Sequence, residues 1–220
     1  MHDHTPASVE EAPAGPRWLL VYLVFVASGF AALLYQVVWQ RVLFSIYGIN
    51  IESVTVVVTA FMLGLGFGSL AGGALSRDPR RRVLRWFAVV EAGIGVFGLL
   101  SLDLFRVVGQ ATLDRSPWVT GALTFALLLL PTLLMGATLP LLVAHLVRRS
   151  GNVGQSVGTL YFVNTLGAAL ASTAAVTHFL PHLALTGTVR AAAALNLLAA
   201  GVVAFHDLRA RPLSLQGSTP

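Results

Sequence analysis

The chain has 220 residues, is 56% hydrophobic and only 10% charged, where a soluble domain carries about 25% charged residues. Its formal net charge of +5 comes from arginine alone, because there is no lysine. Those arginines cap long apolar runs and make no basic face, which points away from nucleic acid and towards a lipid bilayer. The absence of cysteine excludes disulfide and thiol chemistry.

Residues 1–16 are polar and hold Pro6, Pro13 and Pro16, the composition of a disordered tail. The tail lacks the basic start of a signal peptide, and the apolar run behind it is too long for a signal core. Residues 17–206 read as a membrane domain of six helices, and residues 207–220 as a short polar tail. The first span begins at Trp18, runs to about Leu34 and continues into Tyr35–Arg41, whose aromatic and polar residues suit a membrane interface. The second covers about Val54 to Leu75 and the third about Val83 to Leu102. Ser101–Pro117 mixes charged and apolar residues, which predicts an amphipathic piece on the membrane surface. The fourth span, about Trp118 to Val147, contains Pro131 and Pro140 and is expected to be tilted and kinked. The fifth runs from about Val157 to Phe179, stopped by Pro181, and the sixth from about Leu185 to Phe205.

Six spans put both termini on one side. Arg17, Arg77, Arg80, Arg81, Arg82, Arg85, Arg148, Arg149, Arg209 and Arg211 then share that side, while Arg41, Arg106, Arg115 and Arg190 lie opposite. By the positive-inside rule the termini are cytoplasmic, in the inner membrane of a bacterium.

Within the second span Gly64, Gly68 and Gly72 recur at every fourth residue, forming a small-residue face on which another helix can pack closely. A basic turn follows at once: Arg77, Asp78, Pro79, Arg80, Arg81 and Arg82. Glu91 lies well inside the third span, where a carboxylate is costly and reads either as a cation or proton site or as a structural hydrogen bond to a neighbouring helix. Tyr35, Gln36 and Trp39 are either an aromatic and polar wall for an organic cation or interfacial anchors. Asn164, in the fifth span, is a candidate ligand contact or a helix-joining residue. No metal centre is expected: His2 and His4 sit in the tail, and Pro181 separates His178 from His182. Nor is any cofactor expected.

The stretch GGALSRDPRRR, Gly72 to Arg82, resembles the loop between the second and third helices of the major facilitator superfamily, with Ser76 where that motif has an acid and Pro79 where it has a glycine. Four blocks resemble a narrower family in order: SGFAALLYQVVWQRVL (Ser28–Leu43), EAGIGVFGLL (Glu91–Leu100), PTLLMGATLPLL (Pro131–Leu142) and GTLYFVNTLGAAL (Gly158–Leu170). Together they are similar to the membrane part of the fused major-facilitator/spermidine-synthase proteins. The resemblance implies an all-α membrane fold like one half of a facilitator transporter, ordinarily joined to a soluble aminopropyltransferase-like domain. The 15 residues after Phe205 contain no strand, glycine-rich loop and helix to hold a nucleotide-like cosubstrate, so no aminopropyltransferase activity is expected of this chain by itself. Two readings follow. One is a transporter-like half that pairs, as a homo-oligomer or with a partner membrane half, to handle a small organic cation such as a polyamine. The other is a membrane anchor or scaffold for a spermidine synthase-like enzyme.

Overall fold

A computed structural model of the chain describes residues 16–47, 51–80 and 82–209. The expected N-terminal tail, apart from Pro16, the end of the chain beyond Arg209, and Arg81 of the basic turn lie outside the described residues. All described elements are helical: α1 (Pro16–Tyr47), α2 (Ile51–Ser76), α3 (Val83–Ala111), α4 (Pro117–Ser150), α5 (Val153–Ala174), a π-helical turn (Ala175–Phe179) and α6 (Leu180–Arg209).

Local chemistry sets several of these boundaries. Pro117 opens α4, where its missing N–H costs nothing. Gly151 closes α4 with φ 70°, a left-handed conformation natural to glycine, and its N–H reaches Val147 O at 2.8 Å. Asn152 then caps α5 by accepting from the Gln155 N–H at 3.0 Å.

Two expectations need correction. Ser101–Pro117 is not a separate surface piece, because α3 continues unbroken to Ala111. Its polar groups are met without leaving the helix: the Ser101 hydroxyl donates to Gly98 O at 2.8 Å, the Thr112 hydroxyl to Val108 O at 2.7 Å, and Arg106 pairs with Asp103 at 2.8 Å. The span count also differs. Five stretches among the described residues are long and apolar enough to cross a membrane, not six, because the expected fifth and sixth spans form one stretch, Val153–Leu208. Pro181 does not stop the helix. In an α-helix its ring would collide with the carbonyl four residues back; here the turn before it widens, and Leu180 N–H bonds Ala175 O, five residues back.

The long stretch is nevertheless bent back on itself. Ala184, with φ 52° and ψ −169°, is not helical. Beyond it, Leu185 and Thr186 lie beside Val42 and Ile46 near the end of α1, whereas Val203 and His206 lie beside Leu20 and Val21 near its start. So α6 runs against α1. By contrast α5 runs with it: Ser156 lies beside Ser150, at the end where His145 and Arg149 of α4 meet Leu20 and Val21 near the start of α1, and Phe179 reaches Phe30 further along, the rings 5.8 Å apart.

The packing repeats itself. Gly29 of α1 faces the Asn164 carbonyl of α5, and Gly167 of α5 faces the Val26 carbonyl of α1. The same reciprocal contact joins α4 and α2: Gly136 faces the Leu65 carbonyl and Gly68 faces the Leu133 carbonyl. In each case the glycine lies three residues beyond the carbonyl that its partner glycine meets. Helix α3 packs on α6 in the same spirit. Leu84, Phe87, Glu91 and Ile94 are buried in α3 where Val189, Ala192, Asn196 and Ala199 are buried in α6. These are corresponding positions at the single sequence offset of 105 that also relates Glu91 to Asn196. The units α1–α3 and α4–α6 therefore make matching contacts in inverted order, with Glu91 and Asn196 meeting where the two units face one another.

Candidate functional site

The centre of this arrangement is Glu91, wholly excluded from solvent. Its carboxyl group is held from both sides: Ser28 Oγ of α1 donates to Oε1 at 2.6 Å, and Asn196 Nδ2 of α6 donates to Oε2 at 2.5 Å. One acidic group thus ties α1, α3 and α6 together. The pairing answers the cost of placing a carboxyl group in an apolar interior. Ser28 and Asn196 were not singled out from the sequence. Asn196 carried a readable signal, an isolated amide in the apolar run AAAALNLLAAG.

Tyr35 and Trp39 do not stand at an interface. Both are 0% exposed, their rings stacked 4.9 Å apart at 20°. Trp39 also meets Phe61, Phe97 and Phe105 edge-on or tilted, and its Nε1–H donates to Ser101 Oγ at 3.0 Å. Gly98 makes room for Tyr35, since a Cβ there would lie 2.5 Å from the ring. These aromatics are core, closed off from a ligand approaching from outside. Among the described residues, Tyr35 Oη and Asn196 Oδ1 are buried without a hydrogen-bond partner. Gln36 is half-buried on α1. Asn164 sits at the α1–α5 crossing, where a Cβ on Gly29 would come within 2.7 Å of its Oδ1.

Gly64, Gly68 and Gly72 all face α4, beside Thr132, Leu133 and Ala137. At the end shared by the start of α3 and the close of α2, α4 and α6, the basic turn is tied into the bundle. Arg148 donates to Ser76 O at 2.8 Å and to Asp78 O at 2.9 Å, satisfying carbonyls at and beyond the end of α2. Asp78 Oδ1 accepts the Arg80 N–H at 2.9 Å. Asp207 of α6 pairs with Arg85 at 2.9 Å and Arg82 at 3.6 Å, and Arg77 is exposed. Among the described residues no group of three or more metal-ligating side chains comes together. A cavity of about 410 Å³ opens at the opposite end, between Val42, Ile46, Arg106, Gln110, Leu185 and Thr186. None of the residues around Glu91 lines it.

Fold and site together define an all-helical, membrane-capable bundle closed around one buried acidic residue. Comparison with known proteins relates it to a named group. The chain is 31% identical over 192 residues to the polyamine aminopropyltransferase of Corynebacterium efficiens, covering 84% of this chain and 34% of that protein. It is 31% identical over 208 residues to the polyamine aminopropyltransferase of Mycobacterium tuberculosis, covering 91% of this chain and 38% of that protein. To polyamine aminopropyltransferase 1 of Streptomyces coelicolor it is 28% identical over 175 residues. The chain spans about a third of the length of these curated relatives. No family profile matches it, and no solved structure does.

Proposed function

We propose that this chain is a membrane module that holds aminopropyltransferase activity at the bilayer, the transfer chemistry being carried by residues other than those described. In this reading each limb of the bent stretch Val153–Leu208 crosses the membrane, so both described ends lie on the arginine-rich, cytoplasmic side. An enzyme domain attached or docked there has its substrates at hand. The observation that carries the proposal is the closed state of Glu91, 0% exposed with each oxygen accepting a hydrogen bond. An acid so used is a clamp between helices. Similarity to polyamine aminopropyltransferases supplies the activity that the module serves.

A second reading, a polyamine path through the bundle, draws on Tyr35 Oη and Asn196 Oδ1, polar atoms left without partners in the core. An amine passing Glu91 would find further acceptors there. Capture of the tagged chain from membranes of its own organism separates the two. The captured material is assayed for aminopropyl transfer from decarboxylated S-adenosylmethionine to putrescine. Activity retained on the chain through detergent washing is the expected result. Activity found wholly in the unbound fraction overturns the anchoring proposal.

A further inference from the structure

The bend between the two limbs of Val153–Leu208 brings two imidazoles together. His178 lies in the π-helical turn and His182 in the first turn of α6, and both are exposed. Their ring centres are 5.0 Å apart and the ring planes 59° from parallel. The intervening Pro181 does not separate them, because the widened turn absorbs the proline and keeps both rings on one side. Spacing of this kind has a chemical meaning. A metal ion binds imidazole nitrogen at about 2.0–2.1 Å, which puts it about 3.2 Å from each ring centre. At a near-tetrahedral angle, two such rings have centres about 5 Å apart.

We propose that His178 and His182 form a two-histidine site for one divalent ion of the kind that favours imidazole, such as zinc, copper or nickel. The ion binds in the four-residue spacing by which histidines on one helix face chelate metal. Water fills its remaining positions, consistent with the lack of a third ligating side chain among the described residues. Bound there, the ion bridges the π-helical turn and the start of α6 just ahead of the break at Ala184, and so stiffens the point where the chain turns back. π-Helical turns inside longer helices frequently mark functional positions.

The test uses the full chain in detergent, carried on a tag without histidine, with His2→Asn and His4→Asn installed so that the tail does not compete. Zinc chloride is titrated calorimetrically. The expected result is saturable binding near one ion per chain, weakened at least tenfold by His178→Asn or by His182→Asn. His145→Asn, at the opposite end of the bundle, leaves it unchanged. Because both side chains are exposed the variants should stay monodisperse; His178→Gln and His182→Gln replace them if they do not. Parental zinc affinity in a chain carrying both His178→Asn and His182→Asn overturns the site, as does a parent chain that binds no zinc saturably.

Discussion

Glu91 illustrates how one residue organises three helices. Its oxygens accept from Ser28 and Asn196, so truncation strands two buried donors, and each costs about 1–3 kcal/mol when left unmet. Glu91→Ala is therefore expected to lose about 2–6 kcal/mol, which at roughly 2–4 °C per kcal/mol for a chain of this size is readily seen in thermal unfolding in detergent. Glu91→Gln keeps the shape and an acceptor for Asn196, and the Ser28 hydroxyl can rotate to accept from the new amide, so its loss is smaller. Glu91→Leu with Asn196→Leu removes that pair and leaves only the Ser28 hydroxyl unmet, so it should recover part of the deficit of Glu91→Ala, as apolar replacement of buried polar pairs often does. Wild-type stability in Glu91→Ala would mean that water already reaches the site. That a carboxyl group lay inside the third span was legible from the sequence, because its cost there is general. Its partners were not: Ser28 and Asn196 are distant by 63 and 105 residues, and only the fold says which of several scattered polar groups it meets. Tyr35 and Trp39 misled for a related reason. Their position near the end of an apolar run suits an interface, but α1 extends to Tyr47 and carries them into the core.

At the scale of elements, close helix crossings rest on glycine. Gly68 and Gly167 occupy equivalent places in the two inverted units, each pressed against a backbone carbonyl of the facing helix. Gly66 has nothing within 4 Å. A side chain at either crossing must push two backbones apart, an overpacking that costs about 1–3 kcal/mol or more. Gly68→Leu and Gly167→Leu should both lose monodisperse protein in size-exclusion chromatography. Gly66→Leu should not, since a helix gains from losing an exposed glycine. Normal yield and stability of Gly167→Leu would contradict the equivalence of the two crossings. The row Gly64, Gly68, Gly72 was visible as a period, whereas Gly29, Gly136 and Gly167 are isolated in sequence and gain meaning only from the carbonyls they face. The bend was also hidden. Ala184, not a glycine, adopts φ 52°, a conformation costly to any residue with a Cβ, and no local signal distinguishes it from the other alanines of the chain.

Across the whole molecule, composition was enough to indicate a helical bundle able to cross a membrane, since long apolar runs leave few alternatives. Where spans join was harder to read, because a proline that normally ends a helix was absorbed by a π-helical turn. An inverted pairing of the two three-helix units is what the facilitator resemblance implies, but no residue pattern located it: the matching positions share contacts and burial and not residue type, as Glu91 and Asn196 show. Function divides on whether the two units enclose a path or a clamp. Reconstitution of the purified chain into liposomes, with labelled spermidine outside and both a pH gradient and a membrane potential imposed, addresses that directly. A sealed Glu91 predicts uptake no greater than in empty liposomes, for the chain and for Glu91→Gln alike. Saturable uptake by the chain that disappears in Glu91→Gln, with the variant still folded, would contradict the clamp and establish a polyamine path.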